Sequence, residues 1–598
     1  MENSATFKVY NASAGSGKTF SLVKEYLKIV LKSSNPSHFQ HILAITFTNK
    51  AANEMKERII KNLRQFADEN ILYNPTDMFL KIGEETNLEA PLIHQRAKSV
   101  LQQILTKYGL FSVSTIDSFT HKLIRNFAFE LGLPINFEVE LKSKKLLDLA
   151  VDNLIAQIGK EDELTHFLID YAIQNIEENK SWDFTAVIKE NAQVLLTESD
   201  RIHFKQTSHF DLEKFKALNQ KLFKRKKQLE NQFKIIGENG LQLMIENGVD
   251  NYFSYNDLPN FFKKLINFGT HHITLKFDGR LDENITSEVL YSKSISTVIK
   301  AEIDSISKQL IAFYNQSKLL FNKEYSNYVL SQLVSKNIAA YAVLNHINKE
   351  LQKLKVDKNV LLSAEFNQLI SDEIKNQPAP FIYEKLGSKF LHYFIDEMQD
   401  TSELQWQNLI PLIENALSQE GGSLMLVGDA KQSIYRWRGG KTEQFITLTA
   451  QEKVKGSNPF LIPKSINILE TNYRSFKTIV EFNNEFFSHI AQYLGNENHQ
   501  KLFLNTVKQE VKNDNDGGYI QISFVEKQVD DDENDLPYLR KIKSIIDNLD
   551  PDFNKNEVCI LVRKNKQGIA VANFLIGEGI SVVSSESLLI SNSEKVDF

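Results

Sequence analysis

Residues 6 to 19 read TFKVYNASAGSGKT, and this stretch decides the fold. Thr6 to Tyr10 alternates as a strand does, and Leu22, Val23, Tyr26, Leu27, Val30 and Leu31 then recur at helical spacing. The run Ala12, Ser13, Ala14, Gly15, Ser16, Gly17, Lys18, Thr19 therefore joins a strand to a helix. Small residues there let successive backbone N–H groups turn inward around phosphate oxygens, with the helix N-terminus aimed at the anion. In such a loop Lys18 reaches the β- and γ-phosphates and Thr19 ligates magnesium. The strict pattern begins with Gly where Ala12 stands, but Gly17-Lys18-Thr19 is intact. An α/β fold built on a phosphate loop is the expectation.

A phosphate loop needs a partner carboxylate. The apolar run Phe390 to Ile395 reads as a strand and leads into Asp396-Glu397-Met398-Gln399-Asp400. Asp396 at the strand tip is placed to hold the metal, and Glu397 beside it to orient and deprotonate an attacking water. The competing reading makes the pair a helix cap and a first-turn acid.

A third run, LMLVGDAKQSIYRWRGG (424–440), starts as a buried strand and breaks at Gly428-Asp429. Gln432 then falls just past a strand end, where open α/β sheets place their ligands. Trp437, flanked by Arg436 and Arg438, offers a flat aromatic face and fixed positive charge, the means of holding single-stranded nucleic acid. The competing reading buries Trp437 in a core.

Six runs occur in a fixed order: ASAGSGKTF (12–20), ILAITFTNKAANEMKERI (42–59), SVSTIDSF (112–119), FIDEMQDTSELQW (394–406), LVGDAKQSIYRWRGG (426–440) and LETNYRS (469–475). On these runs the chain resembles superfamily 1 DNA helicases of the UvrD/Rep group, nearest the RecB/AddA recombination helicase-nucleases. The segment from about Leu133 to Lys389 carries none of them. The resemblance implies two RecA-like P-loop motor domains, the second incomplete, with a large, mostly helical insertion in the first. It implies ATP and Mg2+ as cofactors, with Lys18 and Thr19 on phosphate and metal, Asp396 on metal and Glu397 on water. Gln432 resembles the γ-phosphate sensor, Arg474 an arginine finger and Tyr473 the residue stacking on adenine. Phe47 and Trp437, with Arg438 beside it, resemble the residues that stack on and hold the tracking strand. Further expectations are 3′–5′ movement, action on single-stranded DNA and duplex ends in double-strand break repair and recombination, and a helicase or nuclease partner subunit.

Three departures from the UvrD pattern bear on these expectations. No Gln lies among the eleven residues before Ala12, and Phe20, a RecB/AddA trait, replaces an Arg that follows the loop. Asp117 stands where a His is usual and is expected to order a loop or cap the following helix. After Cys559 to Arg563, a strand matching the second motor domain, the sequence ends at Phe598. The last motor motifs and a C-terminal nuclease are expected beyond it.

Chain length favours several units: 598 residues exceed what one core sustains. The expected division is 1–132 with 382–444 as the first motor domain, 133–381 as the helical insertion and 445–598 as the start of the second motor domain. Arg474, after a strand Ile466 to Glu470, is expected in that second domain, reaching ATP only across a cleft. In the insertion, Leu146, Leu147, Ala150, Val151, Leu154, Ile155 and Ile158 share one helical face. Lys214 to Lys227 is a basic helix, suited to duplex phosphates or to an ordinary solvated face. Strands are expected at Tyr519 to Val525 and Val558 to Val562, with the acidic run Asp530 to Asp535 as a loop between them. The net charge of −6 excludes a globally basic binder but not a locally basic channel. The single cysteine, Cys559, expected in a buried strand, leaves no set for a disulfide, a zinc site or an iron–sulfur cluster in this sequence. No apolar run approaches the ~18 residues of a membrane span, and the expected location is cytoplasmic. Two other classes compete: a small-molecule P-loop enzyme such as a nucleotide kinase, and a decayed-motor DNA-binding component of a helicase-nuclease complex. The ordered motifs weigh against the first, and intact Lys18, Asp396, Glu397, Gln432 and Arg474 against the second.

Overall fold

The strand expected before the phosphate loop is β1 (Phe7–Ala12), and the helix after it is α1 (Lys18–Lys32). They belong to a computed structural model that describes residues 6–584 apart from 130, 132, 135–136, 141, 178–180, 271–272, 292–294, 377–388, 451–453, 505–507, 513–516 and 527–535. Further strands are β2 (Ile42–Thr46), β3 (Val113–Thr115), β4 (Glu138–Glu140), β5 (Val360–Leu362), β6 (His392–Ile395), β7 (Ser423–Gly428) and β8 (Lys464–Leu469). Six of these eight form one parallel sheet in the order β3-β2-β6-β7-β1-β8. Parallel strands deliver their carboxyl ends to one edge, so all the motif loops emerge side by side. Register pairs Asn11 with Gly428 and Ala12 with Leu469, which sets the phosphate loop between the ends of β7 and β8.

Both faces of the sheet are covered, so its strands are apolar on both sides. Leu43, Ile45, Tyr393, Ile395, Leu424 and Leu426 belong to one core. Their alternates Ile42, Ala44, Phe394, Met425 and Val427 pack on the other side against Tyr26, Leu27 and Val30 of α1.

One compact unit comprises Met1–Arg474 with Ile490–Glu510. The boundary expected at 444/445 therefore needs correction. Phe445 is fully buried in the first core, and β8 completes the first sheet by pairing with β1. Arg474 accordingly belongs to the unit that holds the phosphate loop, not to a separate one. The boundaries at 132 and 382 fall outside the described residues.

Among the described residues the insertion is mostly helical, and its two strands, β4 and β5, pair with each other in parallel. Its first helix, Ser143–Ile155, buries Leu146, Leu147, Ala150, Val151 and Leu154 as the spacing predicts, whereas Ile158 lies past its end and is exposed. The basic window lies on the 35-residue helix Leu212–Glu246. Lys214, Lys216, Arg225 and Lys227 face Asp211, Asp170, Glu324 and Glu230, while Lys221, Lys224 and Lys226 have no ion pair among the described residues. Much of that charge is locally neutralised. No described helix is long and apolar enough to cross a membrane.

The second unit is Ser475–His489 with Val511–Phe598. Helices Leu536–Asp547 and Asn565–Gly577 pack there through Ile546, Val571 and Leu575. Among the described residues Tyr519 to Val525 and Val558 to Val562, expected as strands, form no paired strand, and Cys559 is exposed rather than buried. Alternation marks a segment suited to a sheet, but a strand exists only where a neighbour supplies its ladder bonds. The acidic run Asp530 to Asp535 lies outside the described residues.

At the opposite edge of the large sheet, His38 Nε2 and His392 Nε2 stand 3.2 Å apart, with the His41 ring 5.7 Å from that of His38. His392 Nδ1 meets Ser423 Oγ at 2.8 Å. Burial, reinforced by His38 and His41, pushes His392 down to about 4, and burial with His41 lowers His38. The folded state therefore disfavours protonation of His392 and His38, while the unfolded chain takes up protons near 6.5. Stability is full above pH 6.5 and is lost as pH falls toward 4, by on the order of 3 kcal/mol for His392. Urea unfolding of the wild type and His392→Asn between pH 7.5 and 4.5 checks this. The variant should lose less stability on acidification; parallel curves would contradict it.

Candidate functional site

Ala12 closes β1 in paired, extended backbone, so the glycine of the strict pattern is not needed there. The left-handed turns fall on Gly15 (φ +75°) and Gly17 (φ +84°), which accept them without the cost of a Cβ. A Cβ on Gly15 would also stand 2.7 Å from Asn472 Oδ1. Ser16 is buried and its Oγ donates to the Ser13 carbonyl at 2.7 Å, tightening the loop. Lys18 opens α1, its side chain only 14% exposed. Its Nζ is buried with no hydrogen-bond partner, and Glu397 Oε2 lies 3.8 Å away. A buried ammonium without an acceptor is costly. The loop, the helix N-terminus and this orphaned cation together fit a phosphate chain.

Asp396 follows β6, its N–H donating to the Ile45 carbonyl at 2.9 Å. Burial first, then the neighbouring Glu397, push its carboxyl up to about 7, against the pull of Lys18. A divalent cation shared with Thr19 would supply the charge this carboxylate lacks. Glu397 itself is left-handed, φ +54° and ψ +43°. That costs about 1–2 kcal/mol for a residue with a Cβ. The turn is held by the Asp400 N–H on the Glu397 carbonyl (2.9 Å) and by Gln399 Nε2 on Glu397 Oε2 (2.7 Å). Glu397 precedes the short 3-10 turn Met398–Asp400 but makes no side-chain capping bond to it. Ser402 and Gln405 form the capping box of helix Glu403–Leu417.

Gln399, 1% exposed, binds two loops at once. Its Oε1 accepts the Asp429 N–H at 3.0 Å, and Gly428 leaves it room, since a Cβ there would lie 2.6 Å from that oxygen. The Asp429 carboxylate in turn accepts Gln432 Nε2 at 2.8 Å and the Lys431 N–H at 3.0 Å. Lys431 Nζ reaches Ser13 Oγ at 3.2 Å. Burial, then Glu397, raise Asp400 to about 6, against the backbone N–H groups of Ile434 and Tyr435. The acidic loop is thus tied to the segment that leads to Trp437.

Beyond β8 the chain returns to the phosphate loop. The Tyr473 N–H donates to the Gly15 carbonyl at 3.0 Å, and Asn472 and Gln509 amides donate to the Ala14 carbonyl at 3.3 and 3.0 Å. The Tyr473 ring is exposed, and the exposed Arg474 makes no ion pair among the described residues.

Trp437 is 73% exposed, which removes the reading that buries it in a core. Phe47 follows β2 and its ring lies 4.5 Å from that of Tyr435, which lies 6.2 Å from Trp437. The Arg438 guanidinium sits 5.3 Å over Phe47 and 5.8 Å from the Trp437 ring. Phe47, Trp437 and Arg438, with Asp117 and His121 and with Glu198 from the insertion, line a cavity of about 620 Å3. Asp117 does not cap its helix: Thr115 does, and Asp117 instead accepts Gln405 Nε2 at 3.1 Å and lies 3.7 Å from Arg438.

With six motif loops on one sheet edge, the comparison with known proteins is decisive. The model of the UvrD/REP helicase N-terminal domain matches residues 5–453, and that of the UvrD-like helicase C-terminal domain matches 467–590. The chain belongs to the UvrD/REP helicase family. Among curated relatives, an ATP-dependent helicase/nuclease subunit of Clostridium novyi is 24% identical over 572 residues, covering 90% of this chain and 42% of that protein. The proteins of the same name from Listeria monocytogenes and Clostridium botulinum are 26% and 25% identical, covering 80% and 88% of this chain. The chain spans 38–42% of the length of these three relatives.

Within this UvrD/REP site, sequence reading passed over Gln399, Asp429, Lys431, Asn472 and Gln509. Gln399 stood inside the quoted acidic run and Lys431 inside the quoted Trp437 run, but nothing local marks either as a bridge. Asn472 and Gln509 meet the phosphate loop from more than 450 positions away.

Proposed function

We propose that this chain is the ATP-binding motor part of a DNA helicase that moves 3′–5′ on single-stranded DNA. It would act on duplex ends in double-strand break repair and recombination, in the cytoplasm and beside a partner subunit. The relatives' name, which makes them components of an ATP-dependent helicase/nuclease, supports this reading. The observation that carries it is the continuity of Gly428 to Gly440, one end of which meets the phosphate and acidic loops while the other presents Trp437.

In this reading Lys18 and the loop amides from Ala12 to Thr19 bind the ATP phosphates. Thr19 and Asp396 hold Mg2+, which when bound supplies positive charge to the phosphate oxygens. Glu397, kept in place by Gln399, orients a water and accepts its proton. Gln432 reads the terminal phosphate from its seat on Asp429, and Arg474 neutralises charge developing there. Tyr473 stacks on adenine. Phe47 and Trp437 stack on bases and Arg438 holds the strand, a sequence-tolerant grip suited to movement along arbitrary DNA. ATP turnover of the complete gene product with and without single-stranded DNA tests the reading. Strong stimulation is expected; DNA-independent turnover would point to a small-molecule enzyme, and no turnover to a decayed motor.

Trp437→Ala should weaken single-stranded DNA binding by about tenfold or more, because a stacked base contributes roughly 1–3 kcal/mol. With the side chain so exposed, the melting temperature should stay unchanged. Fluorescence anisotropy with an oligo-dT probe measures the first and calorimetry the second. Unchanged affinity would remove Trp437 from the strand's path.

A further inference from the structure

Lys431 has no role in the mechanism above, yet it is the side chain that reaches the phosphate loop from the β7 loop. Its backbone is fixed: the N–H donates to Asp429 Oδ1 at 3.0 Å, and Asp429, 2% exposed, is itself anchored by its backbone N–H donating to Gln399 Oε1. The side chain extends to the start of the phosphate loop, where Nζ donates to Ser13 Oγ at 3.2 Å. Among the described residues it forms no ion pair. Its partner is a neutral hydroxyl, a weak acceptor for an ammonium held beside a loop built for anions. Gln432, the next residue, shares the same Asp429 carboxylate, so the two side chains leave one short turn, Ala430–Gln432, at the carboxyl end of β7.

We propose that Lys431 is a second phosphate-binding cation, engaging the terminal phosphate of a bound nucleoside triphosphate and exchanging Ser13 Oγ for that oxygen. The inference rests on the nucleotide site proposed above and deepens it: Lys18 holds the phosphate chain as a whole, whereas Lys431 distinguishes triphosphate from diphosphate. An ammonium moving from a hydroxyl to a phosphate oxygen gains a charge-assisted hydrogen bond, and losing the terminal phosphate sends it back. Because Lys431 lies between Asp429 and Tyr435, its position reports the state of the nucleotide to the segment that carries Trp437.

Equilibrium binding of the 598-residue chain to adenylyl imidodiphosphate and to ADP, each with magnesium, tests this with Lys431→Met, Lys431→Arg and Lys18→Ala. Lys431→Met should lose about tenfold or more in affinity for the triphosphate analogue while its ADP affinity changes less than about twofold, the range of a charged hydrogen bond. Lys431→Arg should restore part of the triphosphate preference, which a merely structural role would not require. Equal losses for both nucleotides would mark Lys431 as a support of the loop through Ser13 and overturn the proposal, as would no loss. Lys18→Ala separates the two levels. If it binds both nucleotides like the wild type, the nucleotide site itself is misread; if it loses both while Lys431→Met keeps the full triphosphate preference, only the Lys431 proposal fails.

Discussion

Lys18→Ala is expected to lower ATP turnover by on the order of a hundredfold to a thousandfold, the usual cost of removing one preorganised group that stabilises transition-state charge. The fold should survive unchanged. Lys18 Nζ is buried with no hydrogen bond, and its nearest acid, Glu397, lies at 3.8 Å with a partly open side chain that water can serve. Removing the ammonium relieves its own desolvation cost, which offsets the loss of its pull on the Asp396 and Glu397 carboxylates. Melting temperature without nucleotide should therefore hold steady or rise, while the stabilisation that magnesium-ATP gives the wild type should vanish. Steady-state turnover with paired melting curves measures both. A large drop in melting temperature without nucleotide would make Lys18 a structural residue, and near-normal turnover would remove it from the chemistry.

Glu397→Gln should separate binding from hydrolysis. Turnover should fall by roughly a hundredfold to ten-thousandfold, the contribution typical of a general base. The amide oxygen can still accept Gln399 Nε2, and the left-handed backbone is equally costly for Gln, so the turn should persist. Nucleotide affinity should then stay within a few-fold of the wild type. Titration with a fluorescent ATP analogue, read beside single-turnover hydrolysis, distinguishes the outcomes. Loss of binding in parallel with turnover would make Glu397 a metal ligand instead of a base.

What could be read from sequence divides along the range of the interactions. The phosphate loop, the β6 tip and the Trp437 run were legible because each is set by neighbours in the chain: an alternating strand, a break at glycine, a helical stripe. Even the departure at Ala12 explains itself once the residue is placed in paired strand, where glycine has no task. Long-range pairing was not legible. β8 reads equally well as the first strand of a second domain, and only its register with β1 assigns it to the first sheet. The segment Val558 to Val562 has the composition of a buried strand yet leaves Leu561 and Cys559 exposed, because composition does not supply a partner strand and none pairs with it among the described residues. Asp117 resembled a cap by position, but Thr115, two residues earlier, took that role and left Asp117 to Gln405 and Arg438. Gln399 shows the same limit: a glutamine between two acids becomes the bridge from Glu397 to Asp429 only when β6 and β7 lie side by side.

Asp429 to Gly440 meets the proposed nucleotide site at one end and carries Trp437, proposed to stack on DNA, at the other, so the two ligands should be coupled. The measurement that reaches this most directly is the affinity of the 598-residue chain for an oligo-dT probe, with and without saturating magnesium and adenylyl imidodiphosphate. Nucleotide should shift DNA affinity by about fivefold or more, and DNA should shift nucleotide affinity by the same factor, as linkage requires. If both ligands bind and neither alters the affinity of the other, the phosphate loop and Trp437 do not belong to one coupled site.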